Sequence, residues 1–266
     1  MKSHMSPLKS YAWKIFLIIL IASTAPNLLA DVFVAGLNAI DRSHYASAYR
    51  SFKPLADEGI SEAQNNMGFL YENGFGVKRN YTLAIKWYEL AAKQGLPEAQ
   101  HNMGMLNYQG YGVSQSFVVA KRWFNKSAKQ DLRDSHYMLG LMFFKGEGTQ
   151  ESPVRASGHF LKAAKSGDPN ALYMLAHMII SGDAESGYNK SSDKLSPFDF
   201  SGFTNKESNQ LVAALSLSLL ASKSGQSSAA GLVDFLKSQL DKESISTADS
   251  LSATCLATEY KDCRVF

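Results

Sequence analysis

Residues 61–96 read SEAQNNMGFLYENGFGVKRNYTLAIKWYELAAKQGL, and the next two windows of that length restate them. Residues 97–132 are PEAQHNMGMLNYQGYGVSQSFVVAKRWFNKSAKQDL, and 133–168 are RDSHYMLGLMFFKGEGTQESPVRASGHFLKAAKSGD. The first two windows share 16 identical positions. Gly68, Gly104 and Gly140 align, as do Gly74, Gly110 and Gly146, and then Gly76, Gly112 and Gly148. Ala84, Ala120 and Ala156 match, and so do Ala92, Ala128 and Ala164. Of 19 glycines, nine fall on these framework positions and Gly95 and Gly167 close two of the units, so glycine here is periodic rather than loop filler. A fixed step of this size marks a repeat architecture, in which each unit buries its apolar face only by stacking on its neighbours.

Each window predicts two helices. Ala63, Met67, Leu70 and Tyr71 follow the i, i+4, i+7, i+8 spacing of one helical face. The G-x-G at 74–76 stops that helix, because glycine tolerates the positive φ of a tight turn. Ala84, Trp87, Tyr88, Ala91 and Ala92 give a second apolar face, closed by Gly95. Trp87 and Trp123 align, with His159 in their place in the third window, where a core or half-buried position is expected. Small residues at Gly68, Ala84 and Ala92 let helices approach closely. No sheet is expected.

The pattern extends outward. Residues 31–60 read as a shorter opening pair closed by Gly59, and 169–182 (PNALYMLAHMIISG) restart a first helix. Gly225 then ends LVAALSLSLLASKSG, 22 residues later than the step predicts, so 183–208 read as an insertion loop. Residues 209–266 complete the fourth unit and add a capping pair without a G-x-G. Ala176 and Ala184 stand where the fourth unit would have glycines.

These windows resemble the Sel-one-like repeat family, relatives of the tetratricopeptide repeats. The family pattern A-E-A-Q, L-G-x-x-Y, G-x-G-V and A-x-x-W-Y-x-x-A-A-x-x-G is met by 61–96 almost position by position. The resemblance covers about 31–266 and is strongest in 61–168. It implies an all-α, right-handed α/α superhelical solenoid of about six antiparallel helix pairs that binds other proteins. It implies no single activity.

The N-terminus reads as an export signal: basic Lys2, Lys9 and Lys14, an apolar core at Ile15 to Ala22, a break at Ser23 to Asn27, and Ala30 as a cleavage residue. The uncharged stretch 15–30 spans only ~24 Å as a helix, short of a ~30 Å hydrocarbon core. Signal peptide 1–30 and a periplasmic or secreted mature protein, with no stable membrane insertion, are therefore expected. Lys plus Arg number 27 against 24 Asp plus Glu, and those three lysines account for the excess. The remainder is formally neutral, which lacks the basic footprint of a nucleic-acid binder.

Only Cys255 and Cys263 are present, and in an oxidising compartment such a pair reads as a disulfide that pins the tail to the last helix. Two thiols with no histidine nearby do not make a metal site, and the spacing is not the redox C-x-x-C. None of the six histidines pairs with another at i+3 or i+4, so no helical metal site is written, and no cofactor is expected. Catalysis has little support. Ser191-Ser-Asp-Lys194 matches S-x-x-K, the nucleophile motif of penicillin-interacting enzymes, but sits in the expected insertion. An envelope hydrolase or penicillin-binding protein is the alternative from another class, and a secreted effector a third.

The resemblance also implies a binding face, since first helices of tetratricopeptide-like pairs line the concave side. Carried onto this sequence, that face holds Phe69; His101, Met105 and Tyr108; Tyr137, Leu141 and Phe144; and Tyr173, His177 and Ile180. Glu62, Glu98 and Asp134 rim it. Spacings of three and four keep each set on one helical face. Either the groove closes and these side chains pack on one another, or they form an apolar patch with a polar rim for a partner protein or peptide.

Overall fold

The structure is a computed structural model that describes residues 29–183, 206–261 and 263. Among the described residues there are twelve helices and no strand. They fall into two compact bodies, residues up to Ala99 and residues from Gln100. The first holds α1 (29–41), α2 (Tyr45–Asp57), α3 (Ser61–Asn73) and α4 (Tyr81–Lys93). Helix α5 (Pro97–Gln109) begins at its end. The second continues with α6 (Phe117–Ala128), α7 (Arg133–Lys145), α8 (Pro153–Lys165), α9 (Pro169–Ser181), α10 (Lys206–Lys223), α11 (Ala229–Gln239) and α12 (Lys242–Ala257).

Start signals recur at the repeat step. The side chains of Asn80, Ser116 and Ser152 cap α4, α6 and α8 by accepting from the backbone N–H groups of Leu83, Val119 and Arg155. The G-x-G turns also behave as the sequence predicts. Gly76, Gly112 and Gly148 have φ of 70°, 72° and 64°. A further constraint was not legible in the sequence. A Cβ on Gly76 would lie 2.6 Å from the backbone carbonyl carbon of Tyr45, and one on Gly148 at 2.6 Å from that of Phe117. These two turns therefore press onto the first residue of the preceding unit's second helix, where only glycine fits.

Inside each pair the fit is a ring in a glycine notch. A Cβ on Gly68 would come within 2.6 Å of the Tyr88 ring, one on Gly104 within 2.6 Å of Phe124, and one on Gly140 within 2.5 Å of Phe160. The opening pair uses the same device, Gly36 beneath Phe52. All four rings are fully buried. Removing the Cβ lets the first helix approach until the ring fills the space, which gives the dense packing an interior needs. The two neighbouring rings of the second apolar face are buried to different degrees. Trp87 and Trp123 are only half-buried, and the ammonium of Lys126 sits 4.3 Å from the Trp123 ring centre. The core ring is the next residue along. One step on a helix is about 100°, enough to turn Trp123 toward solvent and Phe124 inward.

The end of the chain departs from this plan. Helix α10 packs against α9, α11 and α12. Every residue from Val212 to Ala221 is buried. Buried Ser216 and Ser218 satisfy their hydroxyls by donating to the carbonyls of Val212 and Ala214. The helix starts at Lys206 rather than 209, and Ala184 and most of the expected insertion lie outside the described residues. Cys255 and Cys263 form a disulfide. Beside it, the Tyr260 ring closes over Gly167 and its hydroxyl meets that of Ser224 at 2.8 Å.

Candidate functional site

In the first body, Phe69 is half-buried and meets Phe75 edge-on at 5.7 Å, and Phe75 stacks on Tyr45 at 4.2 Å. Glu62 on the same helix is exposed. Glu72, three residues along from Phe69, accepts a 2.7 Å hydrogen bond from the Tyr88 hydroxyl. Burial, then the nearby carboxylate, holds the Tyr88 phenol far above its ordinary range.

In the second body, Met105, Tyr108, Tyr137, Leu141, Phe144, Tyr173 and Ile180 are all half-buried. They lie on α5, α7 and α9, the first helices of their pairs. Each packs against the buried core clusters. Tyr108 lies edge-on to Phe117 at 5.1 Å, and its hydroxyl donates to Glu147 at 2.6 Å. Glu147 is the middle residue of the Gly146–Gly148 turn, so this bond ties Tyr108 to the next unit. Burial first, then the Glu147 bond, pushes the Tyr108 phenol up to about 12. The Tyr137 ring lies 5.8 Å from Phe160, and burial raises its phenol too.

Two of the expected face residues have other surroundings. His101 is half-buried, its ring 5.3 Å from Phe124 and its Nδ1 2.9 Å from the Ser135 hydroxyl, which donates onward to Ser127. Burial lowers its pKa. It is a link between helices, fixed by a polar chain. His177 is exposed, with Tyr173 6.5 Å away.

The stripe is thus neither sealed nor an open patch. The large apolar side chains that stand most open include Val34 (52%), Phe235 (51%), Val118 (48%) and Tyr111 (45%), and none of them belongs to the stripe. Half-burial has a physical use. Rings already held by core contacts and a hydrogen bond have little rotamer freedom left to lose when something covers them.

One pair of residues escaped the sequence reading. His136 and His159, 23 positions apart, meet across α7 and α8 with their Nδ1 atoms 3.0 Å apart. Spacing within one helix does not reveal this pair, because the two rings belong to different helices. Among the described residues no group of three or more His, Cys, Asp or Glu is placed to hold a metal ion. Ser191 and Lys194 lie outside the described residues. No helix among those described is long and apolar enough to cross a membrane.

Comparison with known proteins agrees with the helix pairs. The Sel1 repeat model matches residues 61–96, 97–132 and 133–168. Residues 61–168 thus carry three Sel1 repeats, and the all-α fold is that of the Sel1-like solenoid proteins it resembles. A Sel1 repeat protein from Oxalobacter formigenes shares 25% identity over 76% of this chain and 74% of its own, with a TM-score of 0.60. A protective antigen of uropathogenic Escherichia coli strains, which displays an SLR fold, shares 25% identity with a TM-score of 0.64. That match covers 89% of this chain but only 48% of the antigen, so the chain spans about half of that relative. No curated protein matches the sequence. Sel1 repeat proteins generally mediate protein–protein interaction and act as scaffolds rather than enzymes.

Proposed function

We propose that this protein is an exported repeat adaptor that holds another protein or peptide in the cell envelope, periplasmic or secreted. It captures that partner on the first-helix faces of its repeats. The observation that carries the reading is the half-buried stripe in the second body, Met105, Tyr108, Tyr137, Leu141, Phe144 and Tyr173, with exposed Asp134 on one of the same helices. Aromatic and methionine side chains make good anchors because they bring large apolar area at low entropic cost. Export is supported by the basic and apolar N-terminal segment. The Cys255–Cys263 disulfide suits an oxidising compartment.

The test is crosslinking in the native envelope, followed by capture with Tyr108→Ala, Phe144→Ala. Truncating a central anchor typically costs ~2 kcal/mol or more of binding. Partner recovery should be lost while helical circular dichroism stays close to wild type. Tyr108→Phe, which keeps the ring, should still bind. Unchanged recovery by the double variant would place the interaction elsewhere. A fluorescent penicillin separates the enzyme alternative, since covalent labelling lost in Ser191→Ala would favour it.

A further inference from the structure

The repeat register gives the third unit an internal control. His136 stands where the first two units have Gln64 and Gln100, and His159 where they have Trp87 and Trp123. In those units the glutamines take part in neutral amide bonds: Gln94 donates to Gln64 at 2.8 Å, and Gln130 donates to Gln100 at 3.1 Å. The third unit replaces that arrangement with two imidazoles.

His136 is 3% exposed, and its Nε2 has no hydrogen-bond partner. The facing carboxylate is that of Asp131, 3.6 Å from Nε2 and itself 88% exposed to water. On the other side His159 stacks on Phe143 at 5.5 Å and 10°. The same Phe143 ring carries the Arg155 guanidinium at 5.1 Å and the Lys121 ammonium at 5.8 Å. Lys162, on α8 with His159, adds a third cation whose field reaches both histidines. The pair is therefore half-sequestered among three positive groups, with one exposed carboxylate to offset them.

We propose that the His136–His159 pair makes the third helix pair acid-labile. A bond between two Nδ1 atoms needs one donor and one acceptor. Two neutral rings can supply these, and so can one neutral and one charged ring. Two imidazolium rings cannot, because both then carry Nδ1–H. Full protonation therefore breaks the bond and sets two more charges beside Lys121, Arg155 and Lys162, driving α7 and α8 apart.

The direction follows from the surroundings. Burial, then His136, then Lys162 and Arg155, pushes His159 down to about 4. Burial, then Lys162, lowers His136, against the opposing pull of Asp131. Bases depressed in the fold bind protons more readily once it opens. Their stabilisation is complete above the free-histidine value of about 6.5 and drains away as pH falls from there toward about 4.

Amide hydrogen exchange, corrected for intrinsic rate and compared between about pH 7 and about pH 5, tests this on the whole chain. Protection in α7 and α8 should fall by up to about tenfold per pH unit for each proton taken up on opening. Protection in α3 and α4, which carry Gln64 and Trp87, should change less. His136→Gln, His159→Trp restores the residues that the other repeats use, and should bring α7 and α8 into line with α3 and α4. If that variant does not fold, His159→Gln alone should still blunt the acid response. Nitrogen chemical shifts of the two rings in the wild type give an independent check. Both should remain neutral well below pH ~6.5. Rings that protonate in the ordinary histidine range, or an equal loss of protection in variant and wild type, would overturn the proposal.

Discussion

The pairs α5/α6 and α7/α8 and the pair α9/α10 meet the same packing demand with different side chains. In the first two a glycine faces a phenyl ring: Gly104 with Phe124, and Gly140 with Phe160. In the register of the last pair, set by Gly182 and Gly225, the same places hold Ala176 and Ser218, both fully buried. Ala176 carries the Cβ that Gly104 and Gly140 lack, so no notch opens toward position 218, and a small side chain stands there. Helix α10 also packs against α9, α11 and α12. Glycine with a ring and two small residues are thus two ways of filling one helix contact.

The largest effect should come from emptying the notch. Phe124→Ala removes a fully buried ring, which typically costs ~3–5 kcal/mol. Trp123→Ala, one residue away, takes a half-buried ring and should cost clearly less. Urea melts of the two variants check this, and equal midpoints would dissolve the distinction between core ring and neighbour. Next comes the turn. Gly148→Val adds a β-branched side chain at φ 64°, against the Phe117 backbone. Positive φ alone costs such a residue ~1–3 kcal/mol. A melting temperature no lower than that of a surface change such as Lys129→Ala would contradict the turn's close fit. The smallest change probes α9/α10 directly. Ala176→Gly would restore the repeat glycine without its ring, and should destabilise by ~1 kcal/mol through helix propensity and lost contact. A gain in stability there would show that the pair is overpacked rather than adjusted to small residues.

Much of the fold was legible in residues 61–168, because its signals are local. Glycine at positive φ, an apolar face at helical spacing and a polar cap each depend on a few adjacent residues. That is why 36-residue bookkeeping placed the helix pairs. The order of burial among the rings was not legible there. Trp87 and Trp123 are identical and eye-catching, whereas the true core series Phe52, Tyr88, Phe124 and Phe160 varies in name while keeping its shape. The candidate face was legible as a set of positions but not as a degree of exposure. Tyr108 is held by Glu147 and Phe117, and His101 by Ser135, through contacts 34 to 39 residues apart where they cross units.

Sequence alone determined that this chain would fold as helix pairs, where they would turn and that its two cysteines could clip the tail, since each follows from local dihedral preference, period or count. Only the tertiary structure decided which ring fills each notch, that the stripe is half-covered, and that His136 meets His159. Those outcomes depend on how closely two helices approach and how far each is rotated about its axis, and both are set by all the side chains at the contact together.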